Sequence, residues 1–218
     1  MKRAAIIVAA GQGKRVGRKV PKQFLKIKGK AMFLWSANTF ASIKQFERII
    51  IVVPPNMVKF LTKKYKNKFE FVTGGKERFD SVKKGLSIIG NDIDFVAIHD
   101  ASRPLINKKD ILSVLKEAEK TKAAIAVEKT KDTIKIVSDK NQILKTLNRT
   151  ILRNAQTPQI FERKLIKEAY QEKIASNTTD DAQLVERLKI KISAIETKFA
   201  NFKVSTKEDF RVIEKLLK

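Results

Sequence analysis

Seven uninterrupted apolar residues, 4–10, run straight into the glycine-rich, basic segment AAGQGKRVG at residues 9–17, and PKQ follows at residues 21–23. A run this short, with Ile6, Ile7 and Val8 at its centre, suits a strand covered on both faces, as in a parallel sheet between layers of helix. Open sheets of that kind collect ligands at the carboxyl ends of their strands. The loop after this strand carries chemistry for one class of ligand. Gly11, Gly13 and Gly17 permit tight turns and close approach of main-chain N–H groups, while Lys14, Arg15, Arg18, Lys19 and Lys22 bring positive charge. The segment reads as a phosphate cradle; the alternative is a basic surface turn after an edge strand.

Spacing narrows the phosphate chemistry. A P-loop places Ser or Thr after its Gly-Lys to hold magnesium, whereas Arg15 follows Lys14 here. A dinucleotide fingerprint asks for G-x-G-x-x-G and an acidic residue about twenty positions later. This loop has one residue too many before its third glycine, and the first acidic residue is Glu47. With both motifs excluded, Arg15 and Lys22 remain as separate cations suited to wrapping a triphosphate.

Beyond the loop, helical and strand patterns alternate. Phe33, Leu34, Ala37 and Phe40 have helical spacing over residues 31–41, and residues 48–53 read as a second buried strand stopped by Pro54-Pro55. A helix over 56–65, a strand over 69–72, a helix over 80–89 and a strand over 95–98 continue the pattern. Alternation of this kind calls for parallel strands joined by right-handed crossovers, with helices on both faces. Three glycine or acidic motifs then fall at strand ends: Gly11, Gly74-Gly75 and Asp100.

Each of these motifs has a chemical and a plainer reading. Gly75 and Ser81 can hydrogen-bond a base edge, or make a turn and a helix cap. Asp100, a carboxylate ending a buried strand beside a triphosphate loop, is a natural hard-oxygen ligand for magnesium. Arg103 can pair with it and fix its orientation. His99 reads as a structural hydrogen-bonder rather than a general base. From Asp132 the alternation breaks. Residues 133–137 and 143–147, joined by a polar turn at 138–141, form a hairpin, which is marginal alone and needs something to pack on. Residues 156–159 read as a turn before a helix over 162–174, and residues 178–181, with Asp180 and Asp181, as a cap for the next helix. Lys203 lies in a short strand before a capping box of Ser205 and Glu208, where its plain reading is the exposed side of an edge strand.

Eight segments in chain order resemble the 2-C-methyl-D-erythritol 4-phosphate cytidylyltransferases: AAGQGKRVG, PKQ, GGKERFDSV from Gly74, HDASRP from His99, DTIK from Asp132, QTPQ from Gln156, TDDA from Thr179 and NFKVS from Asn201. The resemblance spans nearly the whole chain. It implies one α/β nucleotidyltransferase domain over residues 1–218, with a mostly parallel, Rossmann-like sheet, helices on both faces and a protruding β-hairpin arm at 132–150. It implies transfer of CMP from CTP to 2-C-methyl-D-erythritol 4-phosphate in non-mevalonate isoprenoid biosynthesis, with Mg2+ or another divalent cation. It places Ala9, Ala10, Gly11, Gly13, Gly75, Ser81, Asp100 and Ala101 at the nucleotide, with Asp100 also at the metal. Arg15 and Lys22 would stabilise transition-state charge. Thr133, Thr157, Arg149 and Lys203 would lie toward the acceptor, with Arg149 reaching across a homodimer clasped by the arm. Ser102, Lys129, Phe202 and Ser205 depart from the family's usual alanine, proline, isoleucine and threonine.

Two other functions fit parts of the pattern. A ribitol 5-phosphate cytidylyltransferase would present the same reactive group, although DTIK and the AAG segment favour the methylerythritol enzyme. A non-catalytic nucleotide- or RNA-binding protein would suit the formal charge of +24. Against nucleic acid, the lysines are scattered, aromatics rarely interleave them and no recognition motif occurs; lysine-rich composition and attraction of anionic substrates account for the charge. The chain has no cysteine, which excludes disulfides and thiol catalysis. Its apolar runs fall far short of a membrane span, and the reading is a cytoplasmic enzyme with a single activity.

Overall fold

The computed structural model describes residues 1–11, 21–171 and 178–217. Its first half contains β1 (Arg3–Val8), β2 (Lys26–Ile27), β3 (Lys30–Ala31), α1 (Met32–Ala41), β4 (Phe46–Val53), α2 (Pro55–Lys64), β5 (Glu70–Thr73), α3 (Arg78–Ser87) and β6 (Phe95–Asp100). The second half continues with α4 (Lys108–Thr121), β7 (Ala123–Lys129), β8 (Lys135–Val137), β9 (Ile143–Thr146), β10 (Arg153–Glu162), α5 (Arg163–Ala169), α6 (Ala182–Arg187), β11 (Ser193–Glu196) and α7 (Lys207–Leu216). Seven strands form the central sheet in the order β11-β7-β10-β6-β1-β4-β5. Among the described residues β10 alone runs against the others: its pairings with β6 and β7 are antiparallel, and the remaining pairings are parallel. The α/β, mostly parallel sheet expected from the sequence is therefore present.

The apolar runs become central strands because both of their faces are covered. Ala5, Ile7, Ile49, Ile51 and Val53 face one core with Phe33, Phe40, Leu61 and Ile111 of α1, α2 and α4. Ala4, Ile6, Ile50 and Val52 face the other with Val82, Leu86, Ile166 and Val185 of α3, α5 and α6. Ile6 and Ile7 are both fully buried, and each such side chain contributes about 1.5–3 kcal/mol relative to exposure. A smaller cluster, Ile27, Met32, Val204 and Ile213, seats α7 beside α1.

Four expectations change. Residues 156–159 are not a turn: they lie inside β10, where the register on β7 breaks between Ala155 and Gln159. Pro158, which has no N–H to give to a ladder, sits in that break after a cis Thr157–Pro158 bond, and the extra residues turn the Gln156 and Thr157 side chains into the molecule. The helix after β10 is shorter than the expected 162–174, because α5 ends at Ala169 and residues 172–177 lie outside the described residues. Residues 202–204 form no strand; Val204 N–H reaches the Ser102 carbonyl at 2.8 Å and joins the segment to the turn after β6. The last helix is capped one residue later than expected, by Thr206 with Asp209.

The hairpin is confirmed, with β8 and β9 as a separate two-stranded ribbon. All seven of its strand residues are exposed within the chain, including Ile136, Val137, Ile143 and Leu144.

Candidate functional site

The carboxyl ends of β1, β4, β5 and β6 form one edge of the sheet, and their backbones are stitched together just past the strands. Ala9 N–H donates to the Val52 carbonyl at 2.8 Å, Gly74 N–H to Val53 at 2.8 Å and Ala101 N–H to Val8 at 3.1 Å. The side-chain amide of Gln23, from PKQ, donates to the carbonyls of Ala9 at 2.7 Å and Gly11 at 2.6 Å. A side chain following the glycine loop thus fixes where the loop departs. Gln23 was not singled out from the sequence, since an amide beside a lysine carries no distinctive pattern. Gly13 and Arg15 lie outside the described residues.

Gly74 is required by crowding. A Cβ there would stand 2.1 Å from the Cβ of Ala10, so the β5 loop touches the β1 loop only through glycine. Next to it lies a shallow cleft of about 560 Å³ lined by Pro55, Gly74, Gly75, Lys76, Asp80, Lys83 and Lys84. Lys84 Nζ donates to the Gly74 carbonyl at 2.9 Å. Ser81 is buried and its hydroxyl is used internally, accepting Gly75 N–H at 3.1 Å and donating to the Glu77 carbonyl at 3.2 Å. Ser81 therefore shapes the Gly75 turn. The cap of α3 is the reciprocal Glu77–Asp80 box.

Asp100 is the electrostatic centre. Its Oδ1 accepts from Arg78 Nε at 3.0 Å and its Oδ2 from Lys203 Nζ at 2.7 Å. Burial alone would raise its pKa, but Arg78 and Lys203 outweigh that and hold the carboxyl far below the usual range, fully ionised. Arg103 does not pair with Asp100 as the sequence suggested. Its guanidinium donates to the Asn201 carbonyl at 2.7 Å, because the chain turns at 101–104 and aims it at the α7 side.

His99 behaves as a structural hydrogen-bonder. Its Nε2 lies 3.2 Å from the Arg103 carbonyl, which can only accept, so Nε2 carries the proton. Nδ1 is then the acceptor for the Thr157 hydroxyl at 3.0 Å, whose oxygen in turn accepts Asp100 N–H at 3.1 Å. Burial pushes His99 down to about 4, leaving it neutral at physiological pH. Thr157, expected toward the acceptor, is itself buried and spends its hydroxyl on this relay, bracing Asp100 from behind.

Asp181 departs furthest from its expected role. Asp180 Oδ1 does accept the Gln183 N–H at 3.0 Å at the start of α6, but Asp181 makes no side-chain cap. Its carboxylate has no exposed surface and accepts both terminal nitrogens of Arg78, at 2.9 and 2.7 Å. Arg78 lies within GGKERFDSV, where nothing local marks its role, and only the approach of α6 to α3 shows what it does.

The remaining cations are placed unequally. Lys22 Nζ donates to the Val204 carbonyl at 2.6 Å, next to Lys203 in sequence. Arg149 is exposed, with NH1 on the Lys131 carbonyl at 2.6 Å at the base of the hairpin, and Thr133 is exposed near it. Magnesium keeps several waters and binds through one or two carboxylates plus phosphate oxygens. Asp100 suits that use: it is an ionised carboxylate at a strand end, and its Oδ2 partner Lys203 is 43% exposed and able to swing away. No group of three or more His, Cys, Asp or Glu ligands occurs among the described residues, so phosphate oxygens would have to complete the set. No helix of the described residues is long and apolar enough to cross a membrane.

Known proteins resemble this chain in both sequence and fold. Residues 3–218 match the family described as IspD, 2-C-methyl-D-erythritol 4-phosphate cytidylyltransferase. A protein of that name from Endomicrobium trichonymphae is 66% identical over 218 residues, covering all of both chains. Another from Caldanaerobacter subterraneus subsp. tengcongensis is 39% identical over 99% of this chain and 98% of its own. The crystal structure of 4-diphosphocytidyl-2C-methyl-D-erythritol synthase from Anaerococcus prevotii superposes with a TM-score of 0.85 at 28% identity, covering 99% of this chain and 97% of that one. A family match over residues 3–218, with a relative of that name 66% identical over the whole of both chains, shows that this chain belongs to the 2-C-methyl-D-erythritol 4-phosphate cytidylyltransferase family.

Proposed function

We propose that this protein transfers CMP from CTP to 2-C-methyl-D-erythritol 4-phosphate, forming 4-diphosphocytidyl-2-C-methyl-D-erythritol and pyrophosphate. The observation that carries the proposal is the convergence at one sheet edge of the β1 loop, Gly74-Gly75 and the Asp100–Lys203 pair, in a chain 66% identical to a relative of that name. The acceptor 4-phosphate is largely dianionic at neutral pH, since such groups have a second pKa of about 6, so its attacking oxygen needs no general base. This agrees with a site whose only histidine is buried and neutral. The oxygen forms a bond to the α-phosphorus of CTP while the bond to the bridging oxygen breaks, and pyrophosphate leaves with the electron pair.

Catalysis is then alignment and charge stabilisation. We assign the nucleotide to Ala9, Ala10, Gly11, Gly13, Gly75 and Ala101, with Ser81 acting through Gly75. Arg15 and Lys22 stabilise the charge gathering on the α-phosphate. Asp100 is the residue that would hold a magnesium ion, which supplies charge neutralisation on the triphosphate when bound. Lys203 turns from Asp100 to the acceptor phosphate. Thr133 and Arg149 belong to the acceptor side of a second subunit's site in a homodimer, a reading supported by the exposure of the apolar hairpin and by the place of Arg149 at its base, on the Lys131 carbonyl. A cytoplasmic location belongs to the same reading, since CTP is an intracellular nucleotide.

The test is pyrophosphate release from CTP and magnesium with methylerythritol phosphate or ribitol 5-phosphate as acceptor. Release with the first alone is expected, and Arg15→Ala and Lys203→Ala should each lose about a hundredfold in kcat/KM. Release with ribitol 5-phosphate only would change the substrate, and none with either would overturn the enzyme reading.

A further inference from the structure

Asp100 is held asymmetrically. Arg78 binds Oδ1 and cannot easily leave, because both its terminal nitrogens are engaged in a fork on Asp181. Asp181 is held in turn. Tyr170, buried after α5, donates its hydroxyl to Asp181 Oδ1, and its ring lies flat on Phe79 at 4.6 Å between centroids, with 3° between the planes. On the other oxygen Lys203 is a single, half-exposed contact at 2.7 Å. A bidentate guanidinium–carboxylate pair is geometrically rigid, whereas a lysine ammonium is a mobile point charge. One oxygen of Asp100 is thus fixed and the other exchangeable.

Charge fits the same arrangement. Asp181 offsets the charge of Arg78, so an arginine can stand part-buried at Asp100 with a carboxylate of its own. A helix cap would need none of this: Asp181 makes no side-chain cap bond, and Asp180 already accepts the N–H of Gln183.

We propose that Asp181 and Tyr170 are positioning residues for cytidylyl transfer, acting through Arg78 to lock Oδ1 of Asp100 so that Oδ2 is the oxygen presented to the metal–nucleotide complex. The inference rests on the cytidylyltransferase reading and assigns a role to residues remote from the substrates. A carboxylate locked at one oxygen meets the incoming cation in one orientation, which removes reorganisation at the moment of binding.

The test compares wild type with Asp181→Asn, Tyr170→Phe, Asp100→Asn and the two double variants that combine Asp100→Asn with each of the first two. Steady-state pyrophosphate release gives kcat and KM, and calorimetry gives CTP affinity with and without magnesium. Asp181→Asn should lower kcat about tenfold and Tyr170→Phe about threefold, and both should weaken the gain in CTP affinity that magnesium produces while leaving metal-free CTP affinity unchanged. In the Asp100→Asn background neither should have a further effect, because the group they orient has lost its charge. Equal losses in both backgrounds would show a merely structural role and overturn the proposal, as would an unchanged magnesium gain. If Asp181→Asn does not fold, Tyr170→Phe removes only one hydroxyl and decides alone. A wild type inactive with both acceptors would sink the reaction assigned above, yet the calorimetric comparison would still decide the role of the clamp.

Discussion

His99 shows how a single residue's chemistry is set by what surrounds it. The ring is fully buried, tilted against Phe40 at 5.4 Å and hydrogen-bonded at both nitrogens. Burial lowers its pKa from 6.5 to about 4; the charge of Asp100 opposes that shift and the charge of Arg103 adds to it. The unfolded chain therefore binds a proton that the native state refuses, between pH 6.5 and about 4. In that window stability rises with pH and is lost as pH falls. His99 alone should remove about 3 kcal/mol of unfolding free energy on acidification from neutrality to pH about 4. Denaturant unfolding across this range checks it, and His99→Asn, although less stable at neutral pH, should show a flatter slope. An unchanged slope would mean that some other group dominates. The residue type and its strand-end position argued for a structural histidine, but the partners were not readable, because Thr157 reaches it from 58 positions away.

At the scale of elements, β1, β4 and β6 were legible because each carries an apolar run bounded by glycine, proline or charge, whereas the two-residue strands β2 and β3 have no such run and were not read. β10 was not, since it carries Gln156, Thr157, Pro158 and Gln159 in its middle. Those residues look like a turn, and they are buried polar groups satisfied by neighbours: Gln156 donates to Glu128 at 3.1 Å and accepts from Asn201 at 3.0 Å. The hairpin of β8 and β9 was legible for the opposite reason, as its alternation and turn are local. Its apolar residues Ile143 and Leu144 are 65% and 64% exposed, more than a lone ribbon tolerates, which is why a second copy is its proposed cover. Ile143→Asp with Leu144→Asp should yield a monomer by sedimentation and lose activity. If Arg149 serves the opposite site, mixing inactive Arg15→Ala and Arg149→Ala proteins should restore roughly a quarter of wild-type sites, since each hybrid of a symmetric dimer contains one intact site. No recovery on mixing would place Arg149 in its own subunit's site.

For the whole molecule, the formal charge of +24 acts over distances that no single contact describes. A strongly basic protein draws in a polyanion such as CTP, and that attraction is screened by salt. Stopped-flow association of CTP should slow several-fold from low to physiological ionic strength while kcat stays nearly constant. A salt-independent association rate would leave the charge as composition only. The sequence by itself determined the α/β class, the strand-end position of Asp100 and the family, because these depend on short-range patterns and on motifs that stand in line. Tertiary structure alone decided that β10 runs backwards through the sheet, that Gln23 braces the glycine loop and that Asp181 holds Arg78 against Asp100. Arg78 and Asp181 stand 103 positions apart, and nothing local in either residue tells a helix cap from half of a buried ion pair until the two helices they begin are packed on the same face of the sheet.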